Sequence, residues 1–271
     1  KELIRDQKEW AGMEQFVLSH VYCNNPDLFK HVKAKKHAIM SNDEWFYGIP
    51  YFAADALVPK RNLIIVAHPD DESIWAAEVL GEDSLVILVT DANSGGKGSK
   101  RHVHFKNALE IAKTPYEIWG QWPETKNYEP SNNKGWSSQQ QNSLIEKLVK
   151  TFQSKATLER IITHGENGEY GHIDHRNIHK AVSEAFQIAY KDKNTHPSLE
   201  VFYPELNYNE KYESAKRLNP TRKCPEDPLR KKLLDSYESD GSLSNAHLFR
   251  NLCYDIKVLV PRNGKLLAAS A

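Results

Sequence analysis

From residue 62 onward the chain alternates short, continuous apolar runs with segments of helical periodicity, and this alternation most constrains its fold. The runs are Leu63-Ile64-Ile65-Val66, Leu85-Val86-Ile87-Leu88-Val89 and Arg160-Ile161-Ile162-Thr163. They lack the in–out alternation of half-exposed strands, so the sheet they build is covered on both faces. Helical patterns fall between them, over 71–80, 102–113, 139–152 and 174–190. Strands separated by helices of that length make parallel βαβ units. Further strands read at 116–119 and 199–203, a last helix at 228–237, and a long loop at 121–138. The predicted class is α/β, a Rossmann-like three-layer fold with a mostly parallel sheet, over residues 61–271. Residues 1–60 break the pattern. They are helical and aromatic (Trp10, Phe16, Trp45, Phe46, Tyr47) and read as an N-terminal extension packed on the main domain.

Charge and cysteine content narrow the partners. The 36 basic and 36 acidic residues cancel, so no net field draws the chain to nucleic acid or to an anionic membrane. No apolar stretch approaches the ~18 residues of a transmembrane helix. Cys23, Cys224 and Cys253 are odd in number, far apart and free of CxxC spacing. They read as ordinary thiols, which favours a reducing compartment and a cytoplasmic location. The aromatic extension leaves a homo-oligomer open.

Two of the strands end in polar clusters. The first run is followed at once by His68-Pro69-Asp70-Asp71-Glu72, and the 160–163 run by a segment from His164 to His175 that includes Tyr170, His172 and Asp174. In an open α/β sheet, ligands bind in the crevice outside the carboxyl ends of the strands. Adjacent carboxylates and imidazoles are costly there without a partner, and a divalent cation is the obvious one. His68, Asp71 and one of the later histidines would supply two imidazoles and a carboxylate. Three protein ligands with a fourth position open is the pattern of catalytic zinc.

Blander readings exist for each piece. Asp70 or Asp71 can cap the helix behind Pro69, and His172 and His175 can be surface residues at a helix start. Their joint placement after two strands favours a shared site. Two histidines and a carboxylate also form the facial triad of iron(II) oxygenases, but the parallel α/β pattern and the His-x-x-Asp spacing weigh against it. The Gly/Lys-rich loop 94–100 lacks the GxxxxGK[ST] spacing of a phosphate cradle and reads as a surface loop beside the crevice. The tryptophans around 121–136 read as core or lid residues rather than sugar platforms. His164, Glu166 and Glu169 are secondary site candidates.

His68-Pro69-Asp70-Asp71-Glu72 together with Gly168-Glu169-Tyr170-Gly171-His172-Ile173-Asp174-His175 resembles the LmbE-like, or PIG-L, family of zinc-dependent N-deacetylases. That family includes the GlcNAc-phosphatidylinositol de-N-acetylases. The resemblance spans roughly 62–190 and implies His68, Asp71 and His175 as ligands of Zn2+, with Fe2+ the alternative metal. It implies Asp70 as general base and His172 as the group that stabilises or protonates the reacting centre. Asp174 would orient His172, Tyr170 would sit near the oxyanion, and Arg101 would bind substrate. Ile173 stands where the family commonly has Pro, and His104 where it often has an acidic residue. The implied activity is removal of an N-acetyl group from a small GlcNAc-type sugar, glycoside or glycolipid headgroup. A zinc amidase acting on another acyl amide and a non-catalytic carbohydrate-binding relative are the alternatives.

Overall fold

The computed structural model describes residues 60–93, 98–125, 135–204, 223–238 and 249–262. The expected N-terminal extension, apart from Lys60, and residues 94–97 of the Gly/Lys loop lie outside the described residues. Six strands, β1 (Asn62–Val66), β2 (Ser84–Thr90), β3 (Tyr116–Trp122), β4 (Arg160–Thr163), β5 (Ser198–Pro204) and β6 (Tyr254–Val260), form one sheet in the order β3-β2-β1-β4-β5-β6. All neighbours are parallel except β5 and β6. The helices are α1 (Asp71–Trp75), α2 (Gly98–Ile111), α3 (Ser138–Ser154), α4 (Gly168–Gly171), α5 (Ile173–Tyr190) and α6 (Pro228–Glu238).

Every residue of β1 and β2 is buried, as continuous apolar strands between two helical layers require. Leu63 and Ile65 pack with Leu144 and Leu148 of α3 and Ile178, Val182 and Phe186 of α5. Ile64 and Val66 face the opposite layer, with Trp75 of α1, Phe105 and Leu109 of α2 and Leu234 of α6. The three-layer α/β expectation is met. Helix α3 opens with a reciprocal cap: the Ser137 hydroxyl accepts the Gln140 N–H, and the Gln140 side chain accepts the Ser137 N–H.

Five features differ from expectation. The helix expected over 71–80 stops at Trp75, because Ala76 leaves helical geometry (φ −122°), and a 3-10 turn follows at Ala77–Val79. Helix α2 begins at Gly98, earlier than 102, and β3 continues to Trp122 rather than ending at 119. Strand β6 was not anticipated. It is an antiparallel edge strand whose residues are mostly half-buried or exposed, so it carries no continuous apolar run. The fifth difference is covalent. Cys224 and Cys253 are joined by a disulfide, with Cα atoms 5.2 Å apart. The reading of these cysteines as ordinary thiols is therefore corrected, and with it the argument for a reducing compartment. Sequence reasoning failed because 29 positions separate the pair, and only the antiparallel bridge between Lys223 and Leu252 brings them together. No helix among the described residues is long and apolar enough to cross a membrane.

Strand β1 lies between β2 and β4, so the chain runs outward to β3 on one side and to β5 on the other. The gap between the carboxyl ends of β1 and β4 is the topological switch point of the sheet. Both polar clusters begin there.

Candidate active site

Ala67, the residue after β1, is held by two side chains. The Thr90 hydroxyl donates to the Ala67 carbonyl at 2.6 Å, and the Ala67 N–H donates to His164 Nε2 at 3.0 Å. The Thr90 N–H also donates to the Ala67 carbonyl, at 3.3 Å, and Pro69 then turns the chain. Asp70 then adopts φ 115°, ψ −30°, a conformation costly to a residue with a Cβ. It is held by its own N–H donating to Glu72 (3.0 Å) and its carbonyl accepting from Ser73 and Ile74. The Asp70 side chain makes no cap, and the Asp71 carboxylate accepts the His68 N–H at 2.7 Å. Neither carboxylate is spent on capping α1.

Across the crevice, α5 brings His172, Asp174 and His175 to the same point. His68 Nδ1 and His175 Nε2 are 3.1 Å apart. Asp71 places one carboxylate oxygen 3.4 Å from His68 Nδ1 and the other 3.3 Å from His175 Nε2. Their outward nitrogens are already engaged. His68 Nε2 donates to Asp174 at 3.1 Å, and His175 Nδ1 donates to Glu169 at 2.5 Å. When the two rings are neutral, these inward nitrogens and the Asp71 carboxylate are all lone-pair acceptors, an arrangement that suits a cation. Ligands about 2.0–2.1 Å from a tetrahedral zinc stand roughly 3.3 Å from one another, which is the spacing observed. The donor set fits the metal.

Among the described residues, two other groupings of donor atoms are close enough to share an ion, His68–His172–His175 and Asp71–His164–His175. His164 Nε2 already accepts the Ala67 N–H, and His172 Nδ1 accepts the Asp174 N–H at 3.2 Å. The His68–Asp71–His175 set keeps its lone pairs turned inward and is the better cradle.

The electrostatics separate two adjacent carboxylates. Burial pushes the Asp70 carboxyl up to about 8, with Asp71 adding to the rise and Arg101 opposing it. Burial acts on Asp71 in the same sense, but His175 and His164 overcome it and hold that carboxyl well below the usual range. Paired acids pushed apart in this way mark a division of labour between a fixed anion and a proton carrier. Asp70 is 14 % exposed at its side chain and Asp71 only 2 %, so Asp70 retains access to the crevice. Burial lowers the His68 pKa, yet Asp174 and Asp71 reverse this and raise it to about 9. Burial, then the charges on His68 and His175, hold His172 well below the ordinary histidine value, so its ring is neutral. Tyr170 lies edge-on to His172 and His175, with ring centroids 5.9 and 5.6 Å away.

Two expected roles look different once atoms are in place. The Asp174 carboxylate contacts His68 and the Thr125 backbone and hydroxyl. It is the Asp174 N–H that orients His172, because His172 occupies the N-cap of α5. The Arg101 guanidinium is held by Glu124 (2.6 Å to each oxygen), by the Pro69 carbonyl (3.3 Å) and by the Asp70 carboxylate (3.7 Å). These contacts hold the guanidinium beside Asp70. Trp122 is buried, and Trp119 and Trp136 pack against the core, in keeping with the core reading of the tryptophans.

Sequence reasoning missed Glu124 and Thr125, which follow β3 and meet Arg101 and Asp174. With the strand read as ending at 119, its carboxyl end was misplaced, and the strand-end rule would otherwise have found them. It also missed the link from the Tyr237 hydroxyl of α6 to the buried Glu72 carboxylate, at 2.6 Å.

Comparison with known proteins agrees with the motifs. Residues 63–186 match the PIG-L family, described as GlcNAc-PI de-N-acetylase. An uncharacterized protein of Acanthamoeba polyphaga mimivirus is 26 % identical over 218 residues, covering 75 % of this chain and 81 % of that protein. A probable N-acetylglucosaminyl-phosphatidylinositol de-N-acetylase of Dictyostelium discoideum is 22 % identical over 135 residues, covering 47 % of this chain and half of that one. Among solved structures, the N,N'-diacetylchitobiose deacetylase of Pyrococcus horikoshii superposes with a TM-score of 0.44 at 12 % identity, covering 82 % of this chain and 94 % of that one. The 4-carboxy-2-hydroxymuconate hydratase of Pseudomonas putida gives 0.48 at 14 % identity, covering 77 % and 100 %. The two strand-end motifs thus lie within the one region, residues 63–186, that is similar to the PIG-L family.

Proposed function

We propose that this protein is a metal-dependent N-deacetylase that hydrolyses the acetamide of a GlcNAc-type amino sugar, glycoside or glycolipid headgroup. The observation that carries the reading is the convergence of His68 Nδ1, His175 Nε2 and the Asp71 carboxylate at zinc-like spacing, with the Asp70 carboxylate alongside and outside the set. Zn2+, held by these three residues, would supply a polarised carbonyl and a water of lowered pKa, about 7.

The chain's own groups supply the rest. Asp70, whose raised pKa suits proton uptake near neutrality, takes the proton from the attacking water. Arg101, braced by Glu124, holds Asp70 in place through the Pro69 carbonyl and the ion pair. His172, neutral and with Nδ1 fixed by the Asp174 N–H, presents an Nε2–H as donor to the developing oxyanion, and the Tyr170 ring packs edge-on beside it. The amine leaves once protonated by Asp70, which has gained the water proton.

The test is acetate release from a panel of N-acetylated amino sugars set beside other acyl amides, with metal stripped by chelator and zinc or iron(II) restored. The reading predicts zinc-restored turnover on the amino sugars. Faster turnover of another acyl amide would replace the substrate class, and binding without any acetate release would leave a carbohydrate-binding protein.

A further inference from the structure

Behind the site lies a buried hydrogen-bond chain that the proposed mechanism does not use. Glu169 is 1 % exposed, and one of its oxygens, Oε2, receives two imidazoles: His175 Nδ1 at 2.5 Å and His164 Nδ1 at 3.0 Å. Its other oxygen accepts the Gly165 N–H at 2.7 Å. His164 in turn accepts the N–H of Ala67, the residue before His68, at 3.0 Å. The His164 and His175 rings stack with centroids 3.9 Å apart. One carboxylate thus ties the strand end that carries His68 to the helix that carries His175.

The backbone is distorted to put it there. Glu169 sits at φ 56°, ψ −61°, outside the helical region of the short helix that contains it, and such conformations persist only where the surroundings over-determine them. Gly168 beside it has φ +61°, and a Cβ there would lie 3.0 Å from Arg176 Cγ and 3.2 Å from His175 Cβ. A Cβ on Gly165 would lie 2.9 Å from the Phe202 carbonyl oxygen. Two glycines therefore let the chain pass close enough for Glu169 to turn inward.

We infer that Glu169, braced by His164, is a positioning residue for the metal centre: it keeps the proton on His175 Nδ1 and so aims the Nε2 lone pair at the metal. This rests on the metal reading above. Carboxylates behind ligating histidines typically change metal affinity by roughly 10- to 100-fold. In Glu169→Gln the amide must place an NH2 against either the Gly165 N–H or the two imidazole N–H groups. One donor pair then clashes whichever way it turns.

The experiment measures zinc affinity of wild-type protein and Glu169→Gln by competition with a chelating dye, and the His175 tautomer by long-range 1H–15N NMR. The expected result is zinc binding weakened by roughly tenfold or more in the variant. In zinc-loaded wild type, the proton should be on His175 Nδ1 and the metal on Nε2. Zinc affinity in the variant within about threefold of wild type would overturn the inference, being well short of that range. If the variant fails to fold, the wild-type tautomer decides, and an unprotonated Nδ1 on His175 overturns it. Wild-type protein that binds no zinc would instead refute the metal reading itself.

Discussion

Opening the Cys224–Cys253 bridge should destabilise the domain by an amount that follows from its place in the chain. The cysteines close a loop of 29 positions, and chain entropy assigns such a loop about 3.6 kcal/mol at 25 °C. Little of this is offset by a change in burial. Cys253 is 1 % exposed and stays in the core as a small apolar thiol, and Cys224 is half-buried. At a urea slope of about 3 kcal/mol per molar, the midpoint of unfolding falls by roughly 1.2 M. The assay is urea unfolding of wild-type protein with and without reductant, beside Cys224→Ala, whose midpoint should match reduced wild type and ignore the reductant. The bridge anchors the segment leading into α6, and the Arg230 guanidinium on that helix donates to the Leu252 carbonyl at 2.8 Å. Loosening it therefore also weakens the hold of Tyr237 on Glu72, beneath Asp70. Three titratable thiols in native, unreduced protein, or a midpoint indifferent to reductant, would refute the reasoning.

The other predictions concern the site. Asp70→Asn should retain zinc by elemental analysis while turnover falls about 10²- to 10⁴-fold; an active variant would remove Asp70 from the role of base. His175→Ala should lose bound metal and activity together, and activity surviving in metal-free protein would separate the two. Asp174→Asn puts an amide where His68 Nε2 and Thr125 now donate, so zinc affinity should drop roughly 10-fold or more. The opposite outcome, unchanged affinity with slowed turnover, would return Asp174 to His172.

The parts of this protein that were legible in the sequence are those encoded over short spans. The strands β1, β2 and β4 announce themselves because a strand buried on both faces must be apolar at every position. The clusters after β1 and β4 stand out because charged groups directly behind such strands have no cheap place to go. The family resemblance those motifs carry implied separate roles for Asp71 and Asp70. Strand β6 was illegible because an edge strand that is half-exposed looks like any mixed segment. The capping readings of Asp70 and Asp71 could be set aside only once the Asp70 side chain was seen to make no cap and Asp71 to accept the His68 N–H.

The sequence by itself determined the layered α/β fold, the chemical inventory of the site and the pair of strand ends that deliver it. Only the tertiary structure decided which nitrogen of each histidine faces inward, that Asp174 serves His68, that Glu169 serves both His164 and His175, that Arg101 is bound to Glu124, and that two distant cysteines are joined. The physical reason is that hydrogen-bond partners and disulfides depend on directions between atoms far apart in the chain. Those directions exist only after β1 and β4 have paired side by side and their carboxyl ends share one crevice.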